Sequence, residues 1–144
     1  GEPECIEPDE LVDAGVQRHR RRTSYNIVYT ATSSQIIAAP ALVERAVSNM
    51  VDNALKWNPP DSSVQVRVEN GSVRVSDNGP GIPVEEHEQV FERFYRTEGA
   101  RSLPGSGLGL SIVRHVAESF GGQARIIDDG QPGTTIELSF PPVG

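Results

Sequence analysis

The sequence predicts an α+β fold, a two-layer α/β sandwich whose mixed, mainly antiparallel sheet is covered by helices on one face. Three observations predict it. Val43, Ala46, Val47, Met50, Val51 and Ala54 recur at the 3.6-residue spacing of a helix with one apolar stripe. Val64, Val66, Val68 and then Val73, Val75 alternate with polar residues around Asn70-Gly71, the pattern of a tight-turned β-hairpin. A second helical stripe, Leu110, Val113, Val116, Ala117 and Phe120, runs into Gly121-Gly122 and is followed by two more strand-like runs. Helices and antiparallel strands with apolar faces of this kind bury those faces against one another, and 144 residues fit a single domain with one such core.

In chain order, Pro8 and Asp9 open a helix with apolar residues at Leu11, Val12 and Val16, which ends in the basic run Arg18 to Arg22. Asn26 to Thr30 and Gln35 to Ala38 read as short strands. Pro40 suits the first turn of the central helix, and Pro59-Pro60 forbids its continuation. After the hairpin, Asp77 to Gly107 is rich in Gly and Pro and reads as loop. The helix of Leu110 to Phe120 follows, and Ala124 to Asp128 and Thr134 to Phe140 close the chain as strands.

Charge and composition remove several function classes. Lys plus Arg number 13 against 20 Asp plus Glu, a net charge of −7, so the surface repels a nucleic-acid backbone and no nucleic-acid partner is expected. Among those cations the only lysine is Lys56. Cys5 is the single cysteine, which excludes an internal disulfide and points to a reducing compartment; no Cys/His spacing suggests zinc. The longest uncharged apolar run, Ile36 to Val43, is broken by Pro40 and falls far short of the roughly 18 to 20 residues a membrane span needs. The start is acidic rather than basic and apolar, unlike a targeting segment. The chain opens on Gly1 and its only methionine is Met50, which reads as part of a longer protein.

The residues that carry chemistry fall in separate places. Asn49, Asn53 and Lys56, spaced i, i+4, i+7, project from one side of the central helix, away from the apolar stripe. Two neutral oxygen ligands and a point charge suit a magnesium-phosphate group; a solvated polar face is the plain alternative. Asp77-Asn78-Gly79-Pro80-Gly81-Ile82 follows a strand, its glycines permitting close backbone approach to a flat ligand and its acid able to accept from an exocyclic amine. A simple turn explains the same hexapeptide. Gly105-Ser106-Gly107-Leu108-Gly109-Leu110 runs into a helix N-terminus that favours anions. It is neither a dinucleotide fingerprint nor a Walker loop, since Leu110 replaces the last glycine and no Lys-Ser/Thr follows; a linker remains the alternative. Gly130-Gln131-Pro132-Gly133-Thr134-Thr135 hands a glycine turn to the last strand, as hairpins do.

Together and in this order, these segments resemble the ATP-binding catalytic domain of two-component sensor histidine kinases, in the GHKL (Bergerat-fold) superfamily shared with type II topoisomerase, heat-shock protein 90 and mismatch-repair ATPases. The resemblance runs from about Pro8 to Pro142. Asn49 to Trp57 resembles the N box, Asp77 to Ile82 the first glycine box, Phe91 to Arg96 the F box, Gly105 to Leu110 the second glycine box and Gly130 to Thr135 the third. It implies that Asn53 ligates Mg²⁺ with support from Asn49, and that Lys56 contacts phosphate. Trp57, where the family usually has Tyr or Phe, would lie against base and sugar. Asp77 would accept from the adenine amino group, Ile82 would line the base pocket, and Gly79 and Gly81 would allow close approach. Gly105, Gly107, Leu108, Gly109 and Leu110 would wrap the phosphates, and Thr134 would help Asp77 hold the base through water. Residues of about 83–106 would form an ATP lid carrying Arg93, Arg96 and Arg101.

Hydrolysing members of the superfamily place a Glu general base where this chain has Asn49, and an amide cannot take that proton. The resemblance therefore implies an enzyme that binds Mg-ATP, hydrolyses it poorly, and passes the γ-phosphoryl group to a histidine presented by another domain, with Asn49, Lys56, Arg93 and Arg96 assisting. None of His19, His87 and His115 sits in the family's acceptor signature, so all three read as structural or surface residues and the phosphoaccepting, dimerising helices are expected elsewhere. The implied partners are that dimerisation domain and, through the full-length homodimeric kinase, a response regulator, with the domain alone monomeric. The implied location is the cytoplasmic side of a bacterial inner-membrane sensor, and the arginine-for-lysine bias points to a GC-rich, actinobacterial source. Two rival functions are an anti-sigma-factor-type serine kinase, against which Phe91 and Phe94 argue, and an ATP-sensing module without kinase activity.

Overall fold

The computed structural model describes residues 1–92, 109–128, 130 and 132–143. Its elements are β1 (Glu4–Ile6), α1 (Pro8–Arg20), β2 (Ile27–Ala31), β3 (Ile36–Ala38), α2 (Pro40–Trp57), β4 (Val64–Glu69), β5 (Ser72–Asp77), α3 (Gly109–Ser119), β6 (Gln123–Ile127) and β7 (Thr134–Ser139), with short 3₁₀ turns at Val84–Glu86 and Gln89–Phe91. Five strands form one sheet in the order β2-β4-β5-β7-β6, and β1 pairs with β3 in a separate two-stranded sheet. Only the β2–β4 pair of the large sheet is parallel; the other pairs are antiparallel. The predicted two-layer, mainly antiparallel class is therefore the observed one.

Each predicted helix forms for the anticipated reason. α2 has Pro40 in its first turn and buries Val43, Ala46, Val47, Met50, Val51 and Ala54. It ends where Asn58 turns extended (φ −72°, ψ 135°) ahead of the two prolines, whose rings disfavour a helical predecessor. α1 carries Asp9 and Glu10 in its first turn and Arg18, His19 and Arg20 in its last, complementing the helix dipole at both ends. α3 closes with the Gly122 N–H donating to the Ala117 carbonyl at 2.8 Å while Gly121 takes φ +78°.

The hairpin also follows its signal. Asn70 and Gly71 both have positive φ (49° and 80°), and the register Glu69↔Ser72 leaves them as a two-residue loop, the arrangement that matches strand twist. Alternation then puts Val64, Val66, Val68, Val73, Val75, Ile136 and Leu138 on one face, where they pack against Met50, Val51, Val113 and Val116 from the helices. The opposite face is polar. At its middle Glu137 is nearly buried between Arg74 and Arg125, which reach it from the flanking strands at 2.7 and 2.9 Å.

Three expectations need correction. β1 was not anticipated: three residues with no alternation become a strand only because β3 lies beside them, and β3 joins this small sheet rather than the large one. α1 stops at Arg20, so Arg21 and Arg22 lie beyond it. The stretch read as loop from Asp77 begins inside β5 and later turns inward, burying Val90 and Phe91 under α3. Arg114 of α3 stacks over the Phe91 ring at 4.8 Å and donates to the Glu88 carboxylate at 2.7 Å, which holds this segment against the core.

α1 is tied to α2 through a histidine. His19 is 4% exposed, with Nδ1 3.0 Å from the Gly15 carbonyl and Nε2 3.0 Å from an Asp52 carboxylate oxygen. His87 contacts the Ile82 carbonyl through Nε2 at 2.8 Å, and His115 lies exposed on α3. Among the described residues, no helix is long and apolar enough to cross a membrane.

Candidate nucleotide site

The polar side of α2 forms one wall. Asn49 and Asn53 are half-buried on it, and Lys56 lies exposed in its last turn, where a cation also suits the helix dipole. The Lys56 ammonium stands 6.0 Å from the centroid of the Trp57 ring, within cation–π range. The Asn49 amide donates to the Gly109 carbonyl at 3.3 Å, across 60 positions of sequence, so α2 meets the start of α3 at this residue. Gly109 and Leu110 are the first residues of α3, whose positive dipole end favours an anion.

The second wall is the end of the central strands. Asp77 is the last residue of β5, pairs in register with Thr134 at the start of β7, and is 5% exposed. Its Oδ1 accepts the Gly79 N–H at 2.8 Å, closing the turn. Burial pushes the Asp77 carboxyl up; the backbone N–H groups of Gly79 and Thr134 pull it down, and burial wins, leaving it above the ordinary aspartate value. A desolvated acceptor of this kind is worth most to a ligand donor that replaces its lost water.

Two glycines make the junction possible. A Cβ on Gly133, which has φ +90°, would fall 2.0 Å from the Asp77 carbonyl oxygen. A Cβ on Gly79 would fall 2.6 Å from the Trp57 carbonyl oxygen and 3.0 Å from Asp77 Oδ1. Only glycine lets β7 and the end of α2 approach the Asp77 turn this closely. Gly81 lies against Gly133, and Ile82 is partly buried against the core.

The structure thus joins Asn49 to Gly109, Trp57 to Gly79, Asp77 to Thr134 and Gly81 to Gly133, with Asn53 and Lys56 on the shared face of α2. Arg93, Arg96, Arg101, Gly105, Gly107 and Leu108 lie outside the described residues. Sequence reading missed Asn58. It is 4% exposed, and its side chain bonds the backbone of the Asp77 turn. The available signal was a helix-ending Asn directly before two prolines, a place where the side chain must serve carbonyls that proline leaves without local donors.

An α/β sandwich with a buried strand-end carboxylate, a polar helix face and an anion-favouring helix start defines an ATPase-type nucleotide-binding domain. Residues 38–144 match the family model described as histidine kinase-, DNA gyrase B-, and HSP90-like ATPase, and the chain belongs to that family, as a catalytic domain of the histidine-kinase kind. It is 43% identical over 148 residues to the signal transduction histidine-protein kinase/phosphatase MprB of Mycobacterium bovis (strain BCG / Pasteur 1173P2), covering 96% of this chain and 29% of that protein. The MprB of Mycolicibacterium vanbaalenii is 41% identical over 148 residues, covering 96% of this chain and 31% of its own length. This chain therefore spans about three tenths of these relatives. Among solved structures, a mycobacterial sensor histidine kinase MprB superposes with a TM-score of 0.84 at 39% identity, covering 97% of each chain. The ATP-binding domain of PrrB from Mycobacterium tuberculosis gives 0.79 at 24% identity over the full length of both and shares the fold.

Proposed function

We propose that this chain binds Mg-ATP and donates its γ-phosphoryl group to a histidine on a dimerisation domain, as the catalytic part of a two-component sensor kinase with a response regulator downstream. The observation that carries the reading is the buried Asp77, an amine acceptor held at the point where β5, β7 and the end of α2 meet. Asp77 takes the adenine amino group, Thr134 steadies Asp77 from the neighbouring strand, and Ile82 and Trp57 flank the base. Gly79 and Gly81 keep the wall thin.

The donor set fits magnesium. Asn49 and Asn53 offer neutral amide oxygens, and because the Asn49 NH₂ is spent on Gly109, its Oδ1 is the atom left to accept. Among the described residues no group of three His, Cys, Asp or Glu side chains forms a cage, which suits an ion that keeps water and phosphate oxygens as its other ligands. When bound, the ion supplies charge neutralisation on the phosphates. Asn53 would hold it with support from Asn49, and Lys56, together with Arg93 and Arg96 from outside the described residues, would supply positive charge for the phosphates. Gly109 and Leu110 at the start of α3, with Gly105, Gly107 and Leu108 from outside the described residues, would serve the phosphates. Residues 83–106 act as the lid, with Val90 and Phe91 rooting its first part in the core.

In the transfer, an imidazole nitrogen of the acceptor forms a bond to the γ-phosphorus as the bridging P–O bond breaks and ADP leaves. Asn49 cannot act as a general base toward water, so hydrolysis stays slow. The nucleophile is assigned to another domain: His19 is buried and tied to Asp52, His87 is engaged with Ile82, and His115, exposed on α3, lacks the family's acceptor signature. The test mixes the chain with a phosphoacceptor helical domain of a sensor kinase and ATP labelled at the γ-position. Acid-labile, base-stable label on the acceptor histidine, lost on Asp77→Asn, is expected. Label on serine, or tight ATP binding with no label, would overturn the kinase reading.

A further inference from the structure

Asn58 lies one residue beyond α2, at the turn that carries the chain past two prolines into β4. Both ends of its side chain are engaged. Oδ1 accepts the Asn78 backbone N–H at 2.9 Å, while Nδ2 donates to the Ser62 carbonyl at 2.7 Å and to the Pro59 carbonyl at 3.2 Å. Asn78 returns the connection, its Nδ2 donating to the Ser62 hydroxyl and to the Ser63 carbonyl at 3.1 Å. Asn78 stands between Asp77 and Gly79, and Gly79 is wedged against the Trp57 carbonyl while donating to Asp77 Oδ1. Two consecutive residues of the Asp77 turn are therefore pinned against two consecutive residues at the end of α2.

We propose that Asn58 is a positioning residue for base recognition: through the Asn78 N–H it holds the Asp77–Gly79 turn in register with α2, so that the carboxylate faces the adenine amine while the same helix holds the phosphates. The inference rests on the reading of Asp77 as the amine acceptor. Its physical basis is geometric. One helix carries Asn49, Asn53 and Lys56, and one turn carries Asp77; a bound nucleotide must satisfy both, and Asn58 is the side chain that bonds the two together. Without the Oδ1 acceptor, the Asn78 N–H is left unpaired and the turn loses its side-chain tie to the end of α2, and the directional amine–carboxylate bond suffers more than the diffuse phosphate contacts.

The experiment compares ATP with inosine triphosphate, which has a carbonyl oxygen in place of the amine, by equilibrium binding to the chain, with thermal melting as a check on folding. Asn58→Ala should lower the preference for ATP by about tenfold, the worth of one well-placed hydrogen bond, while affinity for inosine triphosphate changes little. Asn58→Asp keeps an oxygen for Asn78 and should retain the preference even where it lowers the melting point. Equal loss for both nucleotides in the alanine variant, or collapse of the preference in the aspartate variant, overturns the positioning role. The Asp77→Asn control separates the two readings. If the parent does not prefer ATP, or Asp77→Asn leaves the preference intact, the amine-acceptor reading fails; if Asp77→Asn abolishes the preference and Asn58→Ala does not, only the Asn58 proposal fails.

Discussion

Replacing Asp77 by asparagine keeps the shape of the side chain and changes what it offers. The amide oxygen can still accept the Gly79 N–H now held at 2.8 Å, which turns the new NH₂ toward the place of the base amine, donor against donor. One charge-assisted hydrogen bond is lost and one donor left unpaired, so ATP affinity should fall by about 1.5–3 kcal/mol, or roughly 10- to 150-fold. Folding stability should change its dependence on pH. Because burial raises the Asp77 carboxyl above its ordinary 3.8, the folded chain binds a proton more readily than the unfolded chain, and stability declines as pH rises from the unfolded value through the folded one. Asparagine has no such decline, so the variant's stability should change less between pH 4 and pH 7 than the parent's. Isothermal titration with ATP and denaturant melts at pH 4 and pH 7 read the two effects separately. A variant that binds ATP as well as the parent, or one whose weak binding is matched by a large loss of stability at pH 7, would refute the assignment of Asp77 as a recognition group paid for in stability.

Other outcomes follow from the same structure. Burial pushes the Glu137 carboxyl up, but the hydrogen bonds and charges of Arg74 and Arg125 outweigh it and hold it below its ordinary 4.5. Its contribution is therefore present above that value and lost as pH falls through the lower folded value. Glu137→Gln should cost about 1–2 kcal/mol in urea melts at pH 7, the half-exposed arginines keeping it modest, and the gap to the parent should close as the pH falls from 4.5 through the lower folded value, with ATP binding at pH 7 unchanged. Gly133→Ala places a methyl group 2.0 Å from the Asp77 carbonyl at φ +90°, and should cost at least about 1–3 kcal/mol in the same melts and weaken ATP binding. Trp57 is the only tryptophan and sits beside the only lysine, so Mg-ATP should change its emission, and ATP should protect Lys56 from an amine-directed reagent; unchanged emission at saturating nucleotide would count against Trp57 at the base.

Much of this molecule is written in local pattern. The stripe of Val43 to Ala54, the alternating valines about Asn70-Gly71 and the Gly121-Gly122 stop each specify an element, because helix and strand periods decide which side chains share a face and only a few residues tolerate positive φ. The order of the boxes along the chain likewise made the family legible, and with it Asn49, Asn53, Lys56 and Asp77 as candidates for the site. Other features depend on partners distant in sequence. β1 is a strand only because β3 adjoins it, Glu137 is buried only because two arginines on neighbouring strands neutralise it, and Phe91 lies in the core although the sequence around it reads as loop, because Arg114 and α3 lie over it. Asn58 is the clearest case: in sequence it is a polar residue before two prolines, and its role arises 20 positions away, at Asn78. Hydrogen bonds and burial act through space, so local sequence determined the elements and the candidate recognition groups, whereas the tertiary structure alone decided how Asp77 and α2 are held to one another.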